Sequence, residues 1–198
     1  MNKSVSLYVN AASSLMPEIL EKFKELYPSI KISIYQSKKN SANYDLHIYS
    51  SDYSVLESNS TQVLKESFCL AIPKNHKLVS LDEIDLYELR DEPFISLTSD
   101  LPLYTSTLQL CKQAGFIPKI NLESNTPSIM IDFIKRGMGI AIIPEKTWRI
   151  KNETKIKKIK IKNPIAFRYI NIQKTSQNYI PTSVALFEDF VVSYFSQL

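Results

Sequence analysis

Hydrophobic and polar positions repeat along the chain with two periods, and the switches between them mark out its elements. The opening VSLYVNA is short and β-rich, and it runs into ASSLMPEILEKFKELYP, where Leu15, Ile19, Leu20, Phe23, Leu26 and Tyr27 recur at helical spacing. A strand followed by an amphipathic helix is predicted. Ser13 or Ser14 is the natural N-cap, Pro17 falls in the first turn, where its missing N–H costs nothing, and Pro28 stops the helix. IKISIYQ reads as a second strand from its Ile30, Ile32, Ile34 alternation, and YDLHIYS as a third. The opening is therefore β-α-β-β, with a right-handed crossover and a parallel pair.

The remainder repeats that plan. VLKESFCLAIPKNHKL is a long strand turning at Pro73 to His76, and in SLDEIDLYELRDEP Ser80 with Glu83 three residues on has the form of a capping box, predicting a helix. FISLTS is a strand, LYTSTLQLCKQAG a helix ended by Gly115, KINLES a strand, NTPSIMIDFIKRG a helix and MGIAIIP a strand. Two α/β units thus follow one plan without visible sequence repetition. FRYINIQK adds a strand, and PTSVALFEDFVVSYFSQL closes the chain as a helix with Val184, Phe187, Val191, Tyr194 and Phe195 on one face. No Gly/Ser-rich linker separates the units, so strands crossing directly between them are expected rather than a tether.

Gly137 and Gly139 are two of only three glycines in the chain. Thr126 is placed to cap the helix beginning at Pro127; Gly137 then falls at its left-handed C-terminal position, and Gly139 lets the turn close into IAII. A dinucleotide fingerprint has its glycines after a strand and before a helix, the reverse order, so no cofactor is implied.

Composition narrows the function. At 198 residues, with 44% hydrophobic and 11% aromatic content, the chain can bury a substantial core, as one large domain or two small lobes. No apolar run approaches the roughly 20 residues of a membrane span, and MNKSVSLYVNAASS lacks the apolar core and cleavage site of a secretory signal, which reads as cytoplasmic with no membrane partner. Cys69 and Cys111 have neither CxxC spacing nor a neighbouring histidine and read as buried thiols; no metal site is implied. The net charge of +4 is mild, and much of it lies in TKIKKIKIKN, where Lys158, Lys160 and Lys162 share one face of a strand. Without interleaved aromatics or arginines that face is not a nucleic-acid patch; it reads as an edge strand guarded by lysines. His47 and His76 read as structural, and Asp45 with His47 lacks a nucleophile elbow, so no catalytic residue is nominated.

Binding chemistry has more support. The strand-to-helix turns hold Ala12, Ser13 and Ser14 in the first unit and Thr98, Ser99, Asn125 and Thr126 in the second. Hydroxyls and amides at helix N-termini, beside free backbone N–H groups, favour an anion. For Ser14 and Thr126, helix capping alone is the competing role. Gln36, Ser37, Tyr49 and Ser50 end other strands of the first unit and are further lining candidates, while Arg168 is placed to offer a charged clamp or to form a structural ion pair, with Tyr169 the alternative to face the pocket.

The motif order resembles the effector-binding domain of LysR-type transcriptional regulators. NTPSIMIDFIKRGMGIAIIPE resembles that family's helix followed by G-x-G-hydrophobic-P, and LYVNAASSLMPEILEKFKELYPSIKISI its opening strand, LLP-x-x-L-x-x-F helix and YP. YDLHIYS stands at its D-L-A-I strand, FCLAIPKNHKL at its L-x-x-V-P-x-x-H-P-L crossover with Lys77 for the usual proline, and FISLTS at the strand opening the second lobe's site. The resemblance implies two Rossmann-like α/β lobes joined by two crossing strands, like type-2 periplasmic binding proteins: lobe one at 1–70 plus 168–198, lobe two at 71–167. It further implies a small-molecule effector in the cleft between the lobes, a homodimer or tetramer built through the helices at Leu15 to Tyr27 and Pro127 to Arg136, and promoter DNA bound only through a helix-turn-helix domain that these residues do not include. Met16 and Met130 are apolar positions beyond what one core stripe requires, open equally to that pairing and to further core contacts. The chain departs from the pattern at SKKNSAN, too short for the family's second helix. The alternative is a stand-alone solute-binding protein of a transporter with the same fold.

Overall fold

A computed structural model describes residues 4–36, 44–150, 155–175 and 180–198. In chain order its elements are β1 (Ser4–Val9), a 3-10 turn (Ser13–Leu15), α1 (Met16–Leu26), β2 (Lys31–Tyr35), β3 (Leu46–Ser51), β4 (Ser60–Pro73) and β5 (Glu83–Asp85). A second 3-10 turn (Leu86–Leu89), β6 (Pro93–Leu97), α2 (Pro102–Gln113), β7 (Lys119–Ser124), α3 (Pro127–Lys135), β8 (Ala141–Pro144), β9 (Ile156–Asn163), β10 (Phe167–Lys174) and α4 (Thr182–Phe195) complete the chain. It divides into two compact units: Met1–Glu66 with Lys146–Trp148 and Arg168–Leu198, and Ser67–Glu145 with Arg149–Phe167. The segment SKKNSAN (37–43), read as too short for the family's second helix, falls outside the described residues.

In the first unit the strand order is β2-β1-β3-β10-β4. β1 runs parallel to β2, with Ser4 opposite Lys31 and Tyr8 opposite Tyr35, and parallel to β3, with Leu7 opposite Leu46; β10 returns antiparallel to β3. The parallel pair read from the opening β-α-β pattern is present. Period-two alternation sends Val5, Leu7 and Val9, Leu46 and Ile48, and Ile170 and Ile172 into one core with Ile19 and Phe23 of α1 and Val184, Phe187 and Val191 of α4. All five residues assigned to the buried face of α4 are buried. On α1 the stripe is offset: Leu26 is 63% exposed, whereas Met16, and Met130 on α3, take the core role of the two open to them. The opposite face of this sheet carries an aromatic stack, with His47 at a ring distance of 4.8 Å from both Tyr8 and Tyr49.

The second unit repeats the plan. β6 lies parallel to β7, with α2 between them in sequence, and the parallel bridge of Phe94 to Ile140 joins β6 to the segment entering β8 after α3. β8 is then antiparallel to β4, as β3 is to β10 in the first unit. Two expectations are corrected here. The Ser80–Glu83 signal starts no α-helix: Glu83 and Ile84 pair with Lys160 and Ile161 as β5, and only a 3-10 turn follows, because burial of Ile84, Leu86 and Leu89 overrides a local capping pattern. β9 is consequently no edge, since β4 flanks it on one side and β5 on the other, and Lys157 and Lys162 meet Asp82 at 3.0 Å and Glu83 at 3.6 Å.

The two glycines after α3 serve different needs. Gly137 has φ +73°, a left-handed conformation that closes the helix, whereas a Cβ on Gly139 would stand 2.7 Å from the Pro93 carbonyl oxygen. The close approach at Gly139 is what lets Ile140 and Ile95 exchange hydrogen bonds with their neighbours across β6: Ile95 N–H donates to Ile140 O at 2.8 Å and Ile140 N–H to Pro93 O at 3.0 Å.

Candidate functional site

In the first unit the turn after β1 is built from the backbone. The N–H groups of Asn10 and Ala11 both donate to the Ile48 carbonyl, at 2.8 and 3.3 Å, fastening the turn to β3. Ala12 then takes a left-handed conformation, φ 55° and ψ 23°, while 3% exposed. An L-residue other than glycine is strained there by about 1 kcal/mol or more, a cost that persists only where surrounding contacts hold it. The result swings Ser13 and Ser14 to the head of the 3-10 turn and α1. Neither serine caps the helix with its side chain: the Ser14 hydroxyl instead donates to the Thr147 carbonyl. Gln36 is exposed just beyond the end of β2; Ser37 lies outside the described residues. Tyr49 engages His47 and lies 3.3 Å from the Ser60 hydroxyl.

Arg168, at 7% exposure, donates from Nε to Glu66 Oε1 at 2.8 Å and from Nη2 to Thr147 Oγ1 at 2.6 Å. Burial pulls its guanidinium below the ordinary arginine value, against the charge and hydrogen bond of Glu66. Of the two roles open to Arg168, the geometry is that of a structural ion pair.

In the second unit, parallel pairing of β6 and β7 sets Leu97 opposite Ser124, so the turns that follow emerge side by side. Thr98 N–H donates to the Ser124 carbonyl at 3.0 Å. Thr98 and Ser99 therefore sit with Asn125 and Thr126 where α2 and α3 begin, and both helices open with proline in the first turn. The Thr126 side chain does not cap α3; its backbone N–H is received by Ser124 Oγ at 3.1 Å. The hydroxyls of Ser96 and Thr98 are buried without a hydrogen-bond partner among the described residues. A buried hydroxyl without a partner costs roughly 1–3 kcal/mol. Ser96, Glu66 and Thr147 were not singled out from the sequence. For Ser96 the signal was a serine inside an otherwise apolar strand; Glu66 and Thr147 gave none, because their partners are distant in sequence.

Other candidates for chemistry are engaged structurally. Asp45 accepts from both the backbone N–H and hydroxyl of Ser6 at 2.7 Å, and His47 Nε2 meets Asn10 Oδ1 at 2.5 Å. His76 Nε2 lies 3.4 Å from Glu92, which also binds Lys77 at 2.5 Å. Both cysteines are buried outside any disulfide, and burial pushes the Cys111 thiol up to about 12. No cluster of metal-binding side chains occurs among the described residues, and none of their helices is long and apolar enough to cross a membrane.

Two α/β units of matching topology, with polar turns at the heads of their helices, define a ligand-binding domain of the type-2 periplasmic-binding-protein kind. The chain belongs to the LysR substrate binding domain family, which matches residues 4–196. It is 26% identical over 195 residues to the transcriptional dual regulator GltC of Bacillus subtilis (strain 168), an alignment covering 94% of this chain and 65% of that protein. The chain thus spans about two thirds or less of the length of the curated relatives it matches. Among solved structures, the CcmR regulatory domain of Synechocystis PCC6803 in complex with 2-PG superposes with a TM-score of 0.83 at 18% identity, covering 98% of both chains. The effector binding domain of QuiR in complex with shikimate gives 0.70 at 21% identity, covering 98% of this chain and 97% of that one.

Proposed function

We propose that this chain is the ligand-sensing and oligomerisation domain of a LysR-type transcriptional regulator. In this reading a small anionic metabolite binds between a lobe at 1–70 plus 168–198 and a lobe at 71–167. It thereby modulates promoter binding by a helix-turn-helix domain outside these residues, in the cytoplasm and without catalysis. The observation that carries it is the pair of hydroxyls, Ser96 within β6 and Thr98 in the turn that leads to α2, buried without a partner among the described residues. Helix N-termini present unpaired N–H groups and a partial positive charge to an anion, and the hydroxyls add donors of adjustable direction. In the first unit Ser13 and Ser14, set by the strained Ala12 turn, offer the matching groups, with Gln36 following β2 at the same end of the sheet. That GltC is a transcriptional regulator, and that domains of this fold have been captured with 2-PG and with shikimate, supports the class of function without naming this chain's ligand.

The test is a thermal-shift screen against organic acids, amino acids and sugar phosphates. A ligand at 100 times its dissociation constant adds about 2.7 kcal/mol, enough to raise the midpoint by several degrees. A selective shift is expected, and it disappears when Thr98 and Ser99 are replaced by alanine. A ligand whose shift survives both replacements would move the site elsewhere.

A further inference from the structure

We infer that Glu66 and Thr147 form a relay that ties the Ser14 turn to the points where the chain passes between its two units. The inference rests on the ligand reading above for its stimulus. The passages fall at Glu66/Ser67, Glu145/Lys146, Trp148/Arg149 and Phe167/Arg168. Residues at these passages converge on one carboxylate. Glu66 Oε2 accepts the backbone N–H groups of Lys146 and Thr147, both at 2.9 Å, and Glu66 Oε1 accepts Thr147 Oγ1–H and Arg168 Nε–H, both at 2.8 Å. Arg168 Nη2 closes the ring by donating to Thr147 Oγ1 at 2.6 Å. Glu66, Thr147 and Arg168 are all buried, so the segment at 146–147 is held by charge-assisted bonds, those at Thr147 away from water.

The segment has a further bond, to the ligand turn itself: the Ser14 hydroxyl donates to the Thr147 carbonyl. A hydroxyl has one hydrogen to give. A ligand acceptor that takes it removes the donor from Thr147, and the segment at 146–147, no longer fastened to the turn, opens more readily from Glu66. Binding is thereby read at the crossings without any ligand contact to them. Serine at position 14 is, on this view, a positioning residue as well as a binding one.

Amide hydrogen exchange on the ligand-free chain tests this. The Lys146 and Thr147 amides donate to Glu66, and Ser14 bonds neither. Ser14→Ala is expected to raise exchange at both by about tenfold, while α4 amides keep their protection, since local opening and global unfolding have separate free energies. Ser14→Thr, which keeps a hydroxyl, restores protection. Thr147→Val, which removes two bonds of the ring directly, opens the same amides and serves as the positive control. Unchanged exchange in Ser14→Ala alongside opening in Thr147→Val would overturn the relay, as would an increase spread equally over α4. Because no ligand is present, the outcome is independent of the screen: a chain that binds a panel ligand but shows no coupling keeps the ligand reading and loses this one. Coupling in a chain that no panel ligand shifts would do the reverse.

Discussion

At Glu66 the side chain has no exposed surface and takes hydrogen bonds from Lys146, Thr147 and Arg168. Shortening it leaves the Arg168 guanidinium buried without its counter-charge, so Glu66→Ala should cost about 3–5 kcal/mol in urea unfolding, while Glu66→Gln, which keeps an acceptor oxygen, costs less. Glu92 makes the complementary case at the surface. Burial raises its carboxyl, but the hydrogen bond and charge of Lys77, together with His76, outweigh that and hold it below the ordinary carboxylate value of 4.5. A depressed folded pKa means that the unfolded chain takes up the proton first. The stabilisation is therefore complete above the ordinary value, and it drains away as pH falls through that value and then through the folded one. With Lys77 largely exposed, the pair is worth about 1 kcal/mol or less. Glu92→Gln should lower the thermal midpoint slightly at pH 7 and not at all in strong acid; an equal loss at both would mean that packing, not charge, is what Glu92 supplies. Legibility at this scale followed locality. The placement of Thr98, Ser99, Asn125 and Thr126 in neighbouring turns was readable because a strand-to-helix turn is set by its neighbours in sequence. Glu66 and Thr147 were not, because a bond spanning 81 residues leaves no local trace.

Between elements, the turn from α3 into β8 separates two costs that a glycine can conceal. At Gly137 an added methyl meets nothing within 4 Å, but φ is +73°; at Gly139 it meets a carbonyl oxygen at 2.7 Å. Gly137→Ala should therefore lose about 1 kcal/mol from backbone conformation alone. Gly139→Ala should lose more, roughly 1–3 kcal/mol, because the segment must part from β6 to admit the methyl. Chemical denaturation of the two variants gives the order directly, and a reversed order would show that the Phe94–Ile140 bridge yields easily. The helix-to-strand turn itself was readable from Thr126, Pro127 and the paired glycines, since those residue types answer to local backbone geometry. The capping box at Ser80 misled for the opposite reason: a short polar signal was outweighed by pairing with β9, more than 70 residues away, which the local pattern cannot report. The same pairing turned the lysine-bearing strand from an edge into an interior one.

For the molecule as a whole, the repeated topology was legible because each unit is a run of alternating strand and helix whose crossovers have one favoured hand. Side-chain exposure around each helix was less so, since a stripe of apolar residues does not say which of its margins faces solvent. That distinction decides how copies of the chain pair. Met16 and Met130 are buried in their own units, leaving Leu26 on α1, 63% exposed, and Ile129 on α3, 46% exposed, as the apolar positions available to a partner. If α1 of one copy meets α3 of another about a two-fold axis, each substitution acts twice. Removing one apolar side chain of this size from an interface loses at least about 1.5 kcal/mol, so Leu26→Asp should weaken a dimer by about 3 kcal/mol, over 100-fold in dissociation constant. Sedimentation velocity should show the native chain as a dimer and the Leu26→Asp and Ile129→Asp chains as monomers at the same concentration. Because neither residue belongs to a core, circular dichroism should find the monomers fully folded. A native chain that sediments as a monomer at every concentration would rule out pairing through these helices and leave ligand sensing as the domain's only proposed part in regulation.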